Sequence, residues 1–161
     1  MTKIMLNKEE IKKIEKKIGY TFHDEALLCQ AFTRSSYHRE HPEARDNEVL
    51  EFFGDMVLSF VVCNILLDRY TFRDDNGLVS YMQEDAFTKM KLNCTSEAYL
   101  AEKIRALDIQ SHLIEGDEEK ADPSENIAGA SLFESLAAAV YLDSGKNIAV
   151  VKEFVTKLLG L

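Results

Sequence analysis

From Asn47 to about Tyr70 the chain has no proline and one glycine, Gly54. The apolar residues Val49, Leu50, Phe52, Phe53, Met56, Val57, Leu58, Phe60, Val61, Val62, Ile65, Leu66 and Leu67 point in every direction around a helical period. The pattern predicts one long helix that must be covered on nearly all sides. In a chain of 161 residues full cover is hard to supply internally, so a second subunit packed on this helix is expected.

The rest of the pattern is also helical. Asn7 followed by Glu10 is a helix start with a reciprocal cap, and Ile11, Ile14 and Ile18 recur at helical spacing until Gly19 ends the run. Asp24 opens a second helix with Ala26, Leu27, Leu28, Ala31 and Phe32, which gives way to a polar segment, Thr33 to Asp46, expected as a loop. Thr71 to Gly77 is expected as a polar turn, and Leu78 to about Ala101 as one helix with Met82, Ala86, Met90 and Cys94 on one side. Leu107 to Leu113 is ambiguous, and Glu115 to Asn126, acidic and holding Pro123, is expected as a mobile loop. Ala128 to Leu142 and Ile148 to Leu159 form two helices, with Gly145 at the left-handed stop between them. No strand is convincing, so the expected fold is all-α, a single domain over residues 1–161.

With 46% hydrophobic residues, 7 Gly and 2 Pro, the composition excludes disordered and collagen-like chains. Met1 to Glu10 carries lysines and glutamates where a signal peptide needs an apolar stretch, so a soluble, cytoplasmic protein with no membrane partner is expected. Cys29, Cys63 and Cys94 are odd in number and far apart, which gives neither a disulfide framework nor a zinc site; they read as small buried hydrophobes. The net charge of -9 argues against holding nucleic acid by basic charge alone. It leaves room for a nucleic-acid enzyme whose carboxylates bind a metal, because the ion then presents the positive charge to phosphate.

Glu51 and Asp55 lie four residues apart within the most apolar helix, so they project from one face. An acidic pair at that spacing is usually a solvated face. Here no broad polar face exists, and two like charges repel and lose hydration unless a cation joins them. Glu134 repeats the anomaly within Ala130-Ser131-Leu132-Phe133-Glu134-Ser135-Leu136, and Ser131 shares its face one turn earlier. If the two helices cross, Glu51, Asp55, Glu134 and the Ser131 hydroxyl converge with oxygen donors suited to Mg²⁺ or Mn²⁺. Metal-assisted phosphodiester hydrolysis is the reaction class that follows. The histidines are dispersed, and no nucleophilic serine constellation is present.

The segment Asn47-Glu48-Val49-Leu50-Glu51-Phe52-Phe53-Gly54-Asp55-Met56-Val57-Leu58 resembles the signature helix of the ribonuclease III family. Ile18 to Phe22 and Ala31 to Tyr37 resemble that family's opening helices and loop, while Phe133 to Leu136 and Ala139 to Gly145 resemble its closing motif. The resemblance implies an all-helical endonuclease domain that forms a homodimer through the signature helix and cleaves double-stranded RNA in RNA processing. It implies Mg²⁺, with Mn²⁺ as an alternative, as cofactor, and products with short 3′ overhangs, 5′-phosphates and 3′-hydroxyls. By that resemblance Glu51, Asp55 and Glu134 are catalytic and metal-binding carboxylates, Glu48 is an acidic neighbour, and Phe52 plugs into the partner subunit.

Two departures weaken the match at the site. Ser131 stands where the family has aspartate, leaving a hydroxyl as a weaker metal ligand, and Asn76 stands where it usually has a glutamate near the site. Tyr81 and Gln83 occupy positions where the family often has a basic residue. Arg34 and Tyr37, in the polar loop, have two open readings, contact with the RNA backbone or packing of the loop. The sequence ends at Leu161, where the resemblance ends its catalytic domain, so it includes no double-stranded RNA-binding domain and is either a short standalone form or a trimmed chain. Beside an active endoribonuclease stands the alternative of an impaired pseudonuclease that binds structured RNA or serves as a dimeric assembly partner.

Overall fold

The computed structural model describes residues 5–122 and 125–161, without the side chains of 125 and 126. Helix α1 (Lys8–Ile18) begins at the expected reciprocal cap: Asn7 Oδ1 accepts from the Glu9 and Glu10 amides, and the Glu10 carboxylate accepts from the Asn7 amide. It ends at Gly19, whose φ of 71° lies in the left-handed region. Helix α2 (Glu25–Phe32) starts at Asp24, and α3 (Ser35–Glu40) follows after a short extended link. The long helix α4 (Glu48–Tyr70) leads into strands β1 (Phe72–Asp74) and β2 (Gly77–Val79), then α5 (Glu84–Thr95), α6 (Glu97–Leu107) and the short α7 (Asp117–Ala121). Helices α8 (Glu125–Asp143) and α9 (Ile148–Leu159) close the chain.

The core is organised around α8, which packs against α4, α6, α2 and α9. Leu132, Phe133, Leu136, Ala139 and Val140 are fully enclosed, so α8 is apolar on nearly every side because it touches protein on nearly every side. Its last residue, Asp143, ties the far end of the helix to the start of α2. Asp143 Oδ1 accepts from the Asp24 amide at 2.8 Å, and Oδ2 accepts from the His23 amide at 3.0 Å and the Tyr20 hydroxyl at 2.8 Å.

The mostly helical fold is as expected, but several local assignments change. Residues expected as a polar turn form an antiparallel hairpin, Phe72 opposite Val79 and Asp74 opposite Gly77, turning through Asp75-Asn76 with Gly77 at φ 131°. Its strands are too short for an alternating pattern to register. The polar segment after α2 contains α3, and the acidic segment contains α7; Pro123 and Ser124 lie outside the described residues. The helix expected over Leu78 to Ala101 begins only at Glu84, after β2, and is divided at Ser96, whose hydroxyl accepts from the Tyr99 amide and caps α6. Cys29 is buried, whereas Cys63 is exposed on α4.

Helix α4 is covered on one side only. Leu50, Leu58, Val61, Val62 and Ile65 are buried, while Val49, Phe52, Phe53, Met56 and Phe60 form an exposed stripe, Phe52 at 65%. By length and composition α4 could cross a membrane, but its inner face is already spent on the core.

Candidate active site at the crossing of two helices

The crossing of α4 and α8 depends on Gly54. A Cβ built there would lie 1.8 Å from the Glu134 carbonyl oxygen, so the two backbones meet at a distance only glycine allows. Glu51 and Asp55 flank Gly54 in sequence, and that contact brings Glu134 beside them. The glycine that looks like a flaw in an apolar helix is what assembles the acidic cluster.

Glu134 is half-buried, and its carboxyl is pushed up to about 7, first by burial and then by the charges of Asp55, Glu51 and Glu97. Three of these four carboxylates were expected together from the sequence. Glu97, an exposed residue in the first turn of α6, was not; it carries no local signal, because its proximity arises only from the packing of α6 against α8. Glu48 is exposed in the first turn of α4, three residues before Glu51.

Ser131 is 1% exposed and fully engaged. Its hydroxyl donates to Glu51 Oε2 at 2.6 Å and accepts from Arg34 Nη1 at 3.0 Å, with Asn47 Nδ2 a further donor at 3.5 Å. A hydroxyl offers one proton and two lone pairs, and those groups occupy all three directions. As arranged, the Ser131 hydroxyl holds Glu51, and a role as metal ligand would require these hydrogen bonds to rearrange. Asn47, also buried, donates to the Ala31 carbonyl at 3.1 Å, and its Oδ1 has no hydrogen-bond partner among the described residues.

The two residues considered for RNA contact are enclosed by the fold. Tyr37 is 3% exposed, packed beside the His41 ring, so its face is unavailable to a ligand. The Arg34 side chain is 12% exposed and divides its guanidinium between Ser131 and Glu119, whose carboxyl, against the upward push of burial, is held below the usual range by the Ser36 hydroxyl and by Arg34. Of the two readings left open for these residues, packing is the one found. Asn76 is exposed at the tip of the hairpin that follows the end of α4 opposite Glu51. At 1.5 Å of rise per residue, α4 carries the chain roughly 28 Å from Glu51 before the hairpin begins, more than so short a hairpin spans, so Asn76 is not beside Glu51.

Among the described residues, no group of three or more His, Cys, Asp or Glu closes into an ion-binding set. The donor chemistry fits a hard divalent cation all the same: carboxylate oxygens from two helices, half-buried, with the proton affinity of Glu134 raised by burial and then by its acidic neighbours. Magnesium sites commonly use one or two carboxylates and fill the remaining positions with waters and phosphate oxygens.

Nine-tenths of the chain superimposes on a known nuclease fold. Two structures of the nuclease domain of ribonuclease III from Campylobacter jejuni match with TM-scores of 0.79 and 0.77, at 23% and 24% identity. Each covers 92% of this chain, which covers 95% and 92% of them; one was described for structural flexibility in the region involved in dimer formation. The family described as Ribonuclease-III-like matches residues 24–160, and the chain belongs to it. Among its relatives are proteins named Ribonuclease 3 from Treponema succinifaciens, 34% identical over 97% of this chain and 43% of that protein, and from Symbiobacterium thermophilum, 38% identical over 89% and 57%. The chain thus spans about half the length of the curated relatives it matches.

Proposed function

We propose that this chain is a cytoplasmic, divalent-metal-dependent endoribonuclease acting on double-stranded RNA in RNA processing, working as a homodimer through α4. The observation that carries the reading is the meeting of Glu134 with Glu51 and Asp55 where Gly54 lets two apolar helices touch. Carboxylates are driven together there at a cost in repulsion that a structural role does not explain and that a bound cation would relieve. Mg²⁺ or Mn²⁺ held by Glu51, Asp55 and Glu134 would polarise a phosphodiester and lower the pKa of a bound water. The exposed stripe on α4 supports the dimer, since a contiguous apolar face of this kind marks a protein interface.

Incubation of the purified chain with a long RNA duplex and Mg²⁺ or Mn²⁺ tests this reading. Cleavage that chelation stops and Glu134→Gln removes is the expected result; absence of cleavage with either ion would refute the enzyme.

The second reading, a pseudonuclease that binds duplex RNA without efficient hydrolysis, is favoured by Ser131, which places a neutral hydroxyl, a weaker metal ligand than a carboxylate, beside Glu51. Ser131→Asp separates the two. Cleavage only after that substitution would identify the pseudonuclease, and equal cleavage before and after it would show that serine serves the reaction.

A further inference from the structure

The segment between α6 and α7, after a short 3₁₀ turn at Gln110–His112, is stitched along the start of α3. Arg34 donates its amide to the Ile114 carbonyl at 2.9 Å, Ile114 donates to the Phe32 carbonyl at 2.8 Å, and Thr33 bridges Ile114 in parallel. The Gly116 amide donates to Ser36 Oγ at 3.0 Å, and the Asp117 amide to Glu40 Oε1 at 2.8 Å. These contacts deliver Glu119, on α7, to the buried end of Arg34. Its Oε1 accepts from Arg34 Nε at 3.0 Å and Nη2 at 2.9 Å, while its Oε2 accepts from the Ser36 hydroxyl. Both carboxylate oxygens are used, and the guanidinium is locked in one orientation with Nη1 aimed at Ser131.

That orientation has a chemical consequence. A guanidinium can only donate, so Arg34 takes a lone pair of Ser131 and directs the hydroxyl proton away from itself. The proton falls on Glu51 Oε2. We infer that Arg34 is a positioning residue, clamped by Glu119 on α7, which acts through Ser131 to fix the Glu51 carboxylate for ion binding. The inference rests on the reading of Glu51 as a metal-binding group, and it gives Ser131 a use other than a weakened ligand. Glu51 keeps Oε1 outside this chain of bonds, one oxygen oriented by protein and one left for the cation.

Lysine at position 34 keeps the charge but cannot span Glu119 and Ser131 as the planar fork does. Two readouts test the relay. The first is a stability cycle on metal-free protein: the unfolding constants of Arg34→Lys, Glu51→Gln and the pair, measured with and without Ser131→Ala. Arg34 and Glu51 are joined only through Ser131 in the bonds described, so their effects should be non-additive with Ser131 present and additive once Ser131→Ala is introduced. Should Arg34→Lys fail to fold, Glu119→Gln, which loosens the clamp on the same guanidinium, takes its place in the cycle.

The second readout is Mn²⁺ affinity without RNA, followed by the paramagnetic signal of the free ion well below the melting temperature. Arg34→Lys should weaken it roughly 10-fold, as removal of an outer orienting partner does, and a purely structural role would leave it unchanged. Additive stability effects together with normal Mn²⁺ affinity in Arg34→Lys would overturn the relay alone. An unmodified chain that binds no Mn²⁺ would overturn the metal reading of the site, and with it the purpose assigned to Arg34.

Discussion

Gly54→Ala sets two opposed effects against each other at the point that assembles the site. In an open helix the change stabilises by about 1 kcal/mol, because alanine loses less backbone freedom than glycine. Here the new methyl would stand 1.8 Å from the Glu134 carbonyl oxygen and 2.4 Å from its carbon, both backbone atoms that no rotamer can move. Ordinary contact needs about 3.5 Å, so α4 and α8 must part by more than an ångström. Overpacking of a tight core costs about 1 to 3 kcal/mol, and a gap of even 0.5 to 1 Å forfeits about a quarter to a half of each dispersion contact along the seam. Leu50, Leu58, Leu132, Phe133 and Leu136 all lose in that separation. The cost wins, and a net loss of about 2 to 4 kcal/mol follows, a fall in Tm of roughly 5 to 15 °C for a chain of this size. Gly129→Ala is the control: its Cβ would meet Ala101 at 3.0 to 3.1 Å, which a few tenths of an ångström relieves. Urea and thermal denaturation of both variants, on protein freed of metal, give the comparison. A Gly54→Ala protein as stable as the parent, or more so, would show that the two helices do not meet as described.

Phe52→Asp places a charge in the exposed α4 stripe; light scattering should show monomer where the parent is a dimer, and a parent that is monomeric at micromolar concentration would remove the dimer argument. Asp143→Ala should cost about 3 kcal/mol in urea unfolding, since the His23 and Asp24 amides and the Tyr20 hydroxyl all lose a charged acceptor. Those hydrogen bonds hold the Asp143 carboxyl below its usual value despite burial. Its stabilisation is therefore complete above the unfolded pKa of about 4 and is lost as pH falls through the lower folded value, so parent and variant should converge in acid. Glu134 has the opposite sign: its folded carboxyl titrates at about 7, so its charge destabilises progressively as pH rises from about 4.5 toward 7. Glu134→Gln in metal-free protein should gain little at pH 5 and about 1 kcal/mol at pH 8, after discounting for partial exposure; equal gains at both pH values would contradict the acidic cluster.

The elements legible in the sequence are those whose signals are local. Asn7 and Glu10 satisfy each other's amides across one turn, Gly19 supplies the left-handed exit, and the unbroken run after Asn47 forms α4. The hairpin at Phe72–Val79 escaped because its strands offer no readable alternation, and the break between α5 and α6 because one serine hydroxyl at Ser96 makes it. Within the site, Glu51, Asp55 and Glu134 declared themselves as charges in apolar helices. Glu119 and Asn47 did not, since each looks like an ordinary polar residue, and Arg34 stood out only for RNA contact or loop packing, not as a partner of Ser131.

The amino-acid order alone settled that this chain is helical, that α4 and α8 are its most apolar segments, and that carboxylates are buried in both, because period and desolvation act over a turn or two of backbone. Only the tertiary structure decided that Gly54 brings Glu134 to Asp55 and Glu51, that the Ser131 hydroxyl bonds to Glu51, and that Asn76 follows the far end of α4. Those outcomes join residues some 80 positions apart in the chain, such as Glu51 with Ser131, through packing and side-chain hydrogen bonds. No spacing rule reaches across that distance.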